Sequence, residues 1–273
     1  MILDGGLATQ LEARGHDLSD ELWSARVLIE QPDEIRAVHQ GFIDAGAECV
    51  ITSSYQASID GLRAHGVDPK EMLLRSVALA KGAKAVAASV GPYGAALADG
   101  SEFTGVYPEV DLAEWHRERF QILDESDADL LACETIPRFD EAQALASLLH
   151  NKQAWFSFCC RDEKHISDGT PIAECAAFLD SCAKSDKVFA IGVNCTPPQF
   201  VESLICEIRS ATQKPIVVYP NSGERYENGD WHGKPADFAA LAKRWRAAGA
   251  EHIGGCCRTG PDHIRLLVGA RMP

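Results

Sequence analysis

The sequence predicts an α/β protein of the (β/α)8, or TIM-type, barrel class, folded as one domain over residues 1–273. Three observations carry this. Short apolar runs alternate with amphipathic stretches, eight such runs can be counted, and polar residues gather immediately after them. The 273 residues suit a barrel, which commonly needs about 250. A hydrophobic fraction of 46% supplies a large core and excludes a disordered chain.

In order, the apolar runs are 2–4, 49–52, 86–90, 129–134, 154–159, 188–194, 215–219 and 252–255. Each is short with little alternation, as parallel strands covered on both faces require. Between them the spacing predicts helices over 32–45, 111–124, 138–150, 172–183, 198–211 and 235–248. The first opens with Pro32 at a helical N-terminus and sets Ile35, Val38, His39 and Phe42 at helical spacing. Ala45-Gly46 and Ala248-Gly249 are helix stops. No Gly/Ser/Pro-rich linker divides the chain. A doubly wound fold with a dinucleotide site is the weaker reading, because Gly5-Gly6 after the first run is not a GxGxxG fingerprint.

The 26 Lys and Arg against 40 Asp and Glu give a net charge of −14. That balance argues against nucleic-acid binding and docking on anionic membranes. The start, MILDGGLATQ, lacks a basic segment followed by an apolar one, and no stretch is long and apolar enough to span a bilayer. Ten cysteines under these conditions read as reduced thiols and a metal site rather than disulfides, and a cytoplasmic location is expected.

In a parallel barrel the chemistry sits where strands end. Cys195 follows the sixth run and Cys256-Cys257 the eighth, so the register brings three thiols to one rim. Three thiolates can hold Zn²⁺ and leave its fourth position open, the arrangement of a catalytic rather than a structural zinc. The alternative is that they are small buried hydrophobes. That reading applies to Cys49, Cys133, Cys175, Cys182 and Cys206, which lie inside predicted elements, whereas Cys159-Cys160 at a run's end is less clear.

The segments DGGLATQLEARG, LWSARVL, VHQGFIDAGAECVITSSYQAS, SVGPYGAALADGSEFTGVY, DLLACETIP, WFSF, DGTP, GVNC, VVYPNSGERY and GGCCRTGP together resemble the homocysteine S-methyltransferase family. The likeness runs from Asp4 to His263 and is strongest to the branch that uses S-methylmethionine. The resemblance implies a (β/α)8 barrel and a zinc on Cys195, Cys256 and Cys257. It also implies that the Asp4-Gly5-Gly6 turn and Glu134 bind homocysteine. Betaine-using relatives carry a tyrosine after this glutamate; Thr135 stands there instead, which argues against betaine as the donor. Asp4 lies nearer the start than in most relatives, so fewer residues precede the first run here.

The residue types agree with that chemistry. Methyl transfer to sulfur needs a thiolate, and metal coordination deprotonates a thiol. Glu134 can hold the substrate ammonium or serve a structural ion pair, and Gly5 and Gly6 can present N–H groups to a carboxylate or merely form a tight turn. A sulfonium donor would rest on aromatic faces, with Trp23 preferred and Tyr55, Tyr93, Tyr107 and Tyr219 as further candidates. The expected reaction passes a methyl group from S-methylmethionine, or less efficiently S-adenosylmethionine, to homocysteine, with selenohomocysteine as a second acceptor. Rival readings are the homocysteine module of a folate- and cobalamin-dependent methionine synthase, a non-catalytic zinc- or thiol-binding barrel, and a zinc-free barrel with redox-active cysteines.

Overall fold

Strands that are apolar on both faces pair best in parallel between helical layers, and the computed structural model, which describes residues 1–18, 22, 24–227 and 230–270, contains such a sheet. Its seven strands are β1 (Cys49–Ile51), β2 (Ala85–Val90), β3 (Leu130–Ile136), β4 (Ala154–Phe158), β5 (Val188–Asn194), β6 (Ile216–Tyr219) and β9 (Ala250–Ile253). They run β1-β2-β3-β4-β5-β6-β9, every neighbouring pair parallel. Seven of the predicted runs therefore form strands, with ends shifted by a few residues.

The 2–4 run differs. It makes only single parallel bridges, Ile2 to Ile253 and Leu3 to Cys49, one at each edge of the sheet. The Leu3 N–H donates to Ile253 O at 2.9 Å, and the Cys49 N–H to Ile2 O at 3.1 Å. An antiparallel hairpin, β7 (Arg225–Glu227) with β8 (Asp230–His232), was not expected from the apolar runs. Its signal was the Asn228-Gly229 dipeptide, the strongest short-range hairpin cue in a sequence.

The predicted helices are present at Pro32–Asp44, Leu112–Asp124, Phe139–Leu148, Ile172–Ser181, Val201–Ala211 and Phe238–Ala248. The last starts three residues later than Pro235 because Asp237 caps it, its Oδ1 accepting from Ala240 N at 3.0 Å. The sheet buries two separate apolar layers. A large one lies between strands and helices and includes Phe42, Phe120, Phe156 and Trp245. The second, on the other face, takes residues from β1 to β6: Cys49, Ala87, Ala132, Trp155, Ala190, Val217 and Tyr219, with Leu3 joining them. Alanines on β2, β3 and β5 leave room there for the large Trp155 and Tyr219 side chains.

Candidate functional site

Three residues at or beyond strand ends take unusual backbone conformations around the site. Thr135 (φ 57°), Cys195 (φ 47°) and Arg258 (φ 63°) all adopt the left-handed region that L-residues avoid. At Cys195 this turn directs Sγ away from the direction of β5 and towards the loop after β9. The Cys195 and Cys257 sulfurs stand 3.7 Å apart, and those of Cys195, Cys256 and Cys257 all lie within 4.8 Å of one another. Among the described residues no other group of histidines, cysteines and acids is gathered this way. Two sulfurs on one tetrahedral metal with bonds of ~2.3 Å stand ~3.8 Å apart, so the donor set fits a metal. The proton sharing points the same way. Cys257, accepting hydrogen bonds from Cys195 and Cys256, is held well below the usual thiol range, whereas Cys195 is raised by its bonds to Cys256 and Cys257.

The loop carrying Cys256 and Cys257 is anchored by backbone. Cys256 N donates to Pro220 O at 2.8 Å, Cys257 N to Asn221 Oδ1 at 3.2 Å, and Ser222 N to Cys257 O at 3.0 Å. Arg258 turns away from the sulfurs and pairs with Glu224 at 3.3 Å. The glycine turn supports this loop from below. A Cβ on Gly6 would stand 2.5 Å from Cys256 O, and one on Gly5 would stand 2.8 Å from Phe42 Cε1. Gly6 N already donates to Thr259 O (3.1 Å) and Thr259 Oγ1 (3.2 Å), whereas Gly5 N bonds to no described residue. Gly6 thus allows the Cys256 backbone to approach closely, and Gly5 the Phe42 ring.

Two buried acids face the same region. Glu134 receives Ser89 Oγ at 2.5 Å and the Tyr219 hydroxyl, and burial pushes its carboxyl up to about 7. Tyr219 in turn accepts from Trp155 Nε1 (2.9 Å) and Ser157 Oγ (2.6 Å), so a hydrogen-bonded column from the inner apolar layer ends on Glu134. Asn194 holds the next residue: its Oδ1 accepts from Thr135 N and its Nδ2 donates to Thr135 Oγ1, both at 2.7 Å. β3 breaks register between Cys133 and Ile136, which points Glu134 away from the regular pleat. Asp4 accepts from Ile51 N at 2.9 Å, and its carboxyl is pushed well up by burial, with Glu134 adding to the effect. Burial thus disfavours the charged form of both acids, and each charge would be stabilised by a cation placed beside it.

Of the aromatic candidates, half-buried Tyr55 is at the site. Its hydroxyl bonds Thr135, and burial raises it above the ordinary phenol range. Trp23 lies outside the described residues. Tyr219 is sealed in the inner layer, while Tyr93 and Tyr107 are tied to buried Glu141, which accepts Tyr93 N at 2.6 Å and the Tyr107 hydroxyl at 2.7 Å. Tyr107 and Tyr219 thus have their hydroxyls engaged within the protein, and the Tyr93 ring packs edge-on against Tyr107 and Trp115. Cys49, Cys133 and Cys175 are buried as expected, but Cys206 is exposed, because its position on Val201–Ala211 faces away from the sheet. Sequence reasoning missed Ser89, Asn194 and Glu102 at the site; the SVGPYG, GVNC and DGSEF segments held them without any spacing that marks chemistry.

Reactive thiols and paired acids at the carboxyl ends of parallel strands define an enzyme acting on a small charged substrate. Residues 1–270 match the family model described as homocysteine S-methyltransferase, and the chain belongs to that family and is a methyltransferase. It is 45% identical to homocysteine S-methyltransferase YbgG of Bacillus subtilis, over 98% of this chain and 93% of that one. It is 44% identical to selenocysteine Se-methyltransferase of Brassica oleracea, covering 97% and 87% of the two chains. The crystal structure of the metallated form of the Escherichia coli homocysteine methyltransferase MmuM superposes with a TM-score of 0.88 at 43% identity, covering 99% of this chain and 96% of that one.

Proposed function

We infer that this enzyme transfers a methyl group from S-methylmethionine, or from S-adenosylmethionine, to the thiolate of homocysteine, giving methionine, with Zn²⁺ held by Cys195, Cys256 and Cys257. The observation that carries the reading is the close approach of the three sulfurs, within 4.8 Å, from two strands far apart in sequence. Zinc bound there would keep a substrate thiol deprotonated at neutral pH and leave one coordination position for it. The solved metallated form of the similar E. coli protein supports the metal.

The chain's own residues then bind and orient. Glu134, with Asp4 beside it, holds the homocysteine ammonium; Gly5 N–H meets the carboxylate, and Gly6 lets the cysteine loop close on the turn. Tyr55 shields the reacting sulfurs from water and offers its ring to the sulfonium, a contact of roughly 0.5–2 kcal/mol. Trp23 remains a second donor contact. The selenocysteine enzyme among the relatives supports selenohomocysteine as another acceptor.

The reading includes one domain closed as a (β/α)8 barrel, supported by the Ile2–Ile253 and Leu3–Cys49 bridges at the two sheet edges and by the separate inner layer. It also takes the protein to be cytoplasmic, since three adjacent thiols persist in a reducing compartment. Among the described residues no helix is long and apolar enough to cross a membrane.

The test is zinc content and methionine formation on one purified sample, wild type beside Cys256→Ser, with homocysteine and S-methylmethionine. One zinc per chain with turnover, both lost in the variant, is expected. An active wild type without zinc would refute the metal assignment.

A further inference from the structure

The loop after β2 brings in a buried acid, within electrostatic reach of Cys257, that has one carboxylate oxygen unpartnered. A four-residue helix, Ser101–Thr104, stands between Gly100 (φ 85°) and Gly105 (φ 70°), both left-handed. Asp99 Oδ1 fixes its start by accepting Ser101 N at 2.9 Å. Gly94 lets the preceding turn pack directly on it, since a Cβ there would come within 2.6 Å of Glu102 N. These constraints bury Glu102 to 8% exposure, and its Oε2 has no hydrogen-bond partner. It lies within electrostatic reach of Cys257, Cys159 and Tyr55, and no ion pair joins it to a cation among the described residues. A buried carboxylate oxygen without a partner is costly unless a ligand supplies one.

Resting on the reaction inferred above, we propose that Glu102 receives the α-ammonium group of the methyl donor, so that the enzyme selects sulfonium donors that are also amino acids. The acceptor's ammonium already has Glu134 and Asp4. Two cationic groups of the donor remain, its sulfonium and its ammonium. The sulfonium charge vanishes as the methyl leaves, so a carboxylate against it would hold the ground state more tightly than the transition state and slow the reaction. The ammonium charge persists throughout, and pairing it binds donor and transition state equally. Glu102 is therefore a specificity residue whose loss appears in donor binding and leaves the chemical step alone.

The test compares wild type, Glu102→Gln and Glu102→Asp as zinc-loaded proteins. Calorimetric binding of S-methylmethionine is set beside that of dimethylsulfoniopropionate, a sulfonium acid without an ammonium group, and the KM of each substrate is measured. Glu102→Gln should weaken S-methylmethionine binding and raise its KM by about tenfold to a hundredfold, with Glu102→Asp partly restoring both. Zinc content, homocysteine KM and the unfolding midpoint should stay at wild-type values, and the wild type should bind dimethylsulfoniopropionate no more tightly than the glutamine variant does. Unchanged S-methylmethionine binding, equal loss for both sulfonium compounds, or a rise confined to the homocysteine KM would each overturn the proposal. A wild type that binds S-methylmethionine but methylates nothing would remove the reaction inferred above, and the binding arm would still decide the role of Glu102.

Discussion

Cys195 and Cys257, 62 positions apart in the chain, bring their sulfurs to 3.7 Å. That separation is too long for a disulfide and suits two thiolates on one metal ion. A ligand bound only by the folded state stabilises it by mass action, by roughly 4 kcal/mol at 1,000 times Kd. Zinc-loaded protein should therefore unfold at a clearly higher temperature than chelator-stripped protein, and Cys257→Ser should show almost no zinc-dependent shift. Equal zinc-dependent shifts in both proteins would place the metal elsewhere.

Gly6 tests the packing of the cysteine loop. A methyl group there meets Cys256 O at 2.5 Å, and backbone cannot yield as a side chain can. Gly6→Ala should lower zinc content and activity together, while Gly15→Ala, where a Cβ has open space but φ is 92°, should leave zinc content intact. Retention of full zinc by Gly6→Ala would show that the loop can shift.

Tyr219 is a positioning residue for Glu134, acting through one hydroxyl. Tyr219→Phe removes that donor and leaves Trp155 Nε1 without its acceptor. The homocysteine KM should rise by about tenfold, the value of one hydrogen bond to a charged group. Zinc content and the KM for the methyl donor should not move; a parallel rise in both KM values would assign Tyr219 to general packing.

His39 predicts acid sensitivity. It is buried with both ring nitrogens lacking hydrogen-bond partners, and burial lowers it from 6.5 to about 4. Between those values the unfolded chain holds the extra proton, so stability is full above pH ~6.5 and falls as pH drops towards ~4, by up to roughly 3 kcal/mol. Denaturant unfolding across this range should show the decline, and His39→Leu should flatten it. An equally steep decline in the variant would assign the effect to other groups.

The alternation of apolar runs and amphipathic stretches was legible because each strand and helix is encoded locally, by residues within one element. Seven runs appear as strands for that reason. The 2–4 run is apolar enough to read as a strand, yet its pairing depends on two distant edges, so its bridges were not predictable from its composition. The position of Cys195 and Cys256-Cys257 after apolar runs raised a metal site beside the reading of small buried hydrophobes, and the family resemblance chose between them; the fold brings the three sulfurs within 4.8 Å. Glu102 was not, because an acid in a glycine-rich loop reads as solvated until the fold shows it buried.

The α/β class, with parallel strands alternating with helices, and the family were legible from the amino-acid sequence, because both are carried by local pattern and motif order. Tertiary structure decided how those parts are aimed. The Trp155–Tyr219–Glu134 column and the engagement of Gly6 by Thr259 join residues from separate elements, and the left-handed turns at Thr135 and Cys195 and the burial of Glu102 appear only once those elements pack. Such contacts arise when distant segments exclude water from one another, and burial then sets the protonation and hydrogen bonding on which the site depends.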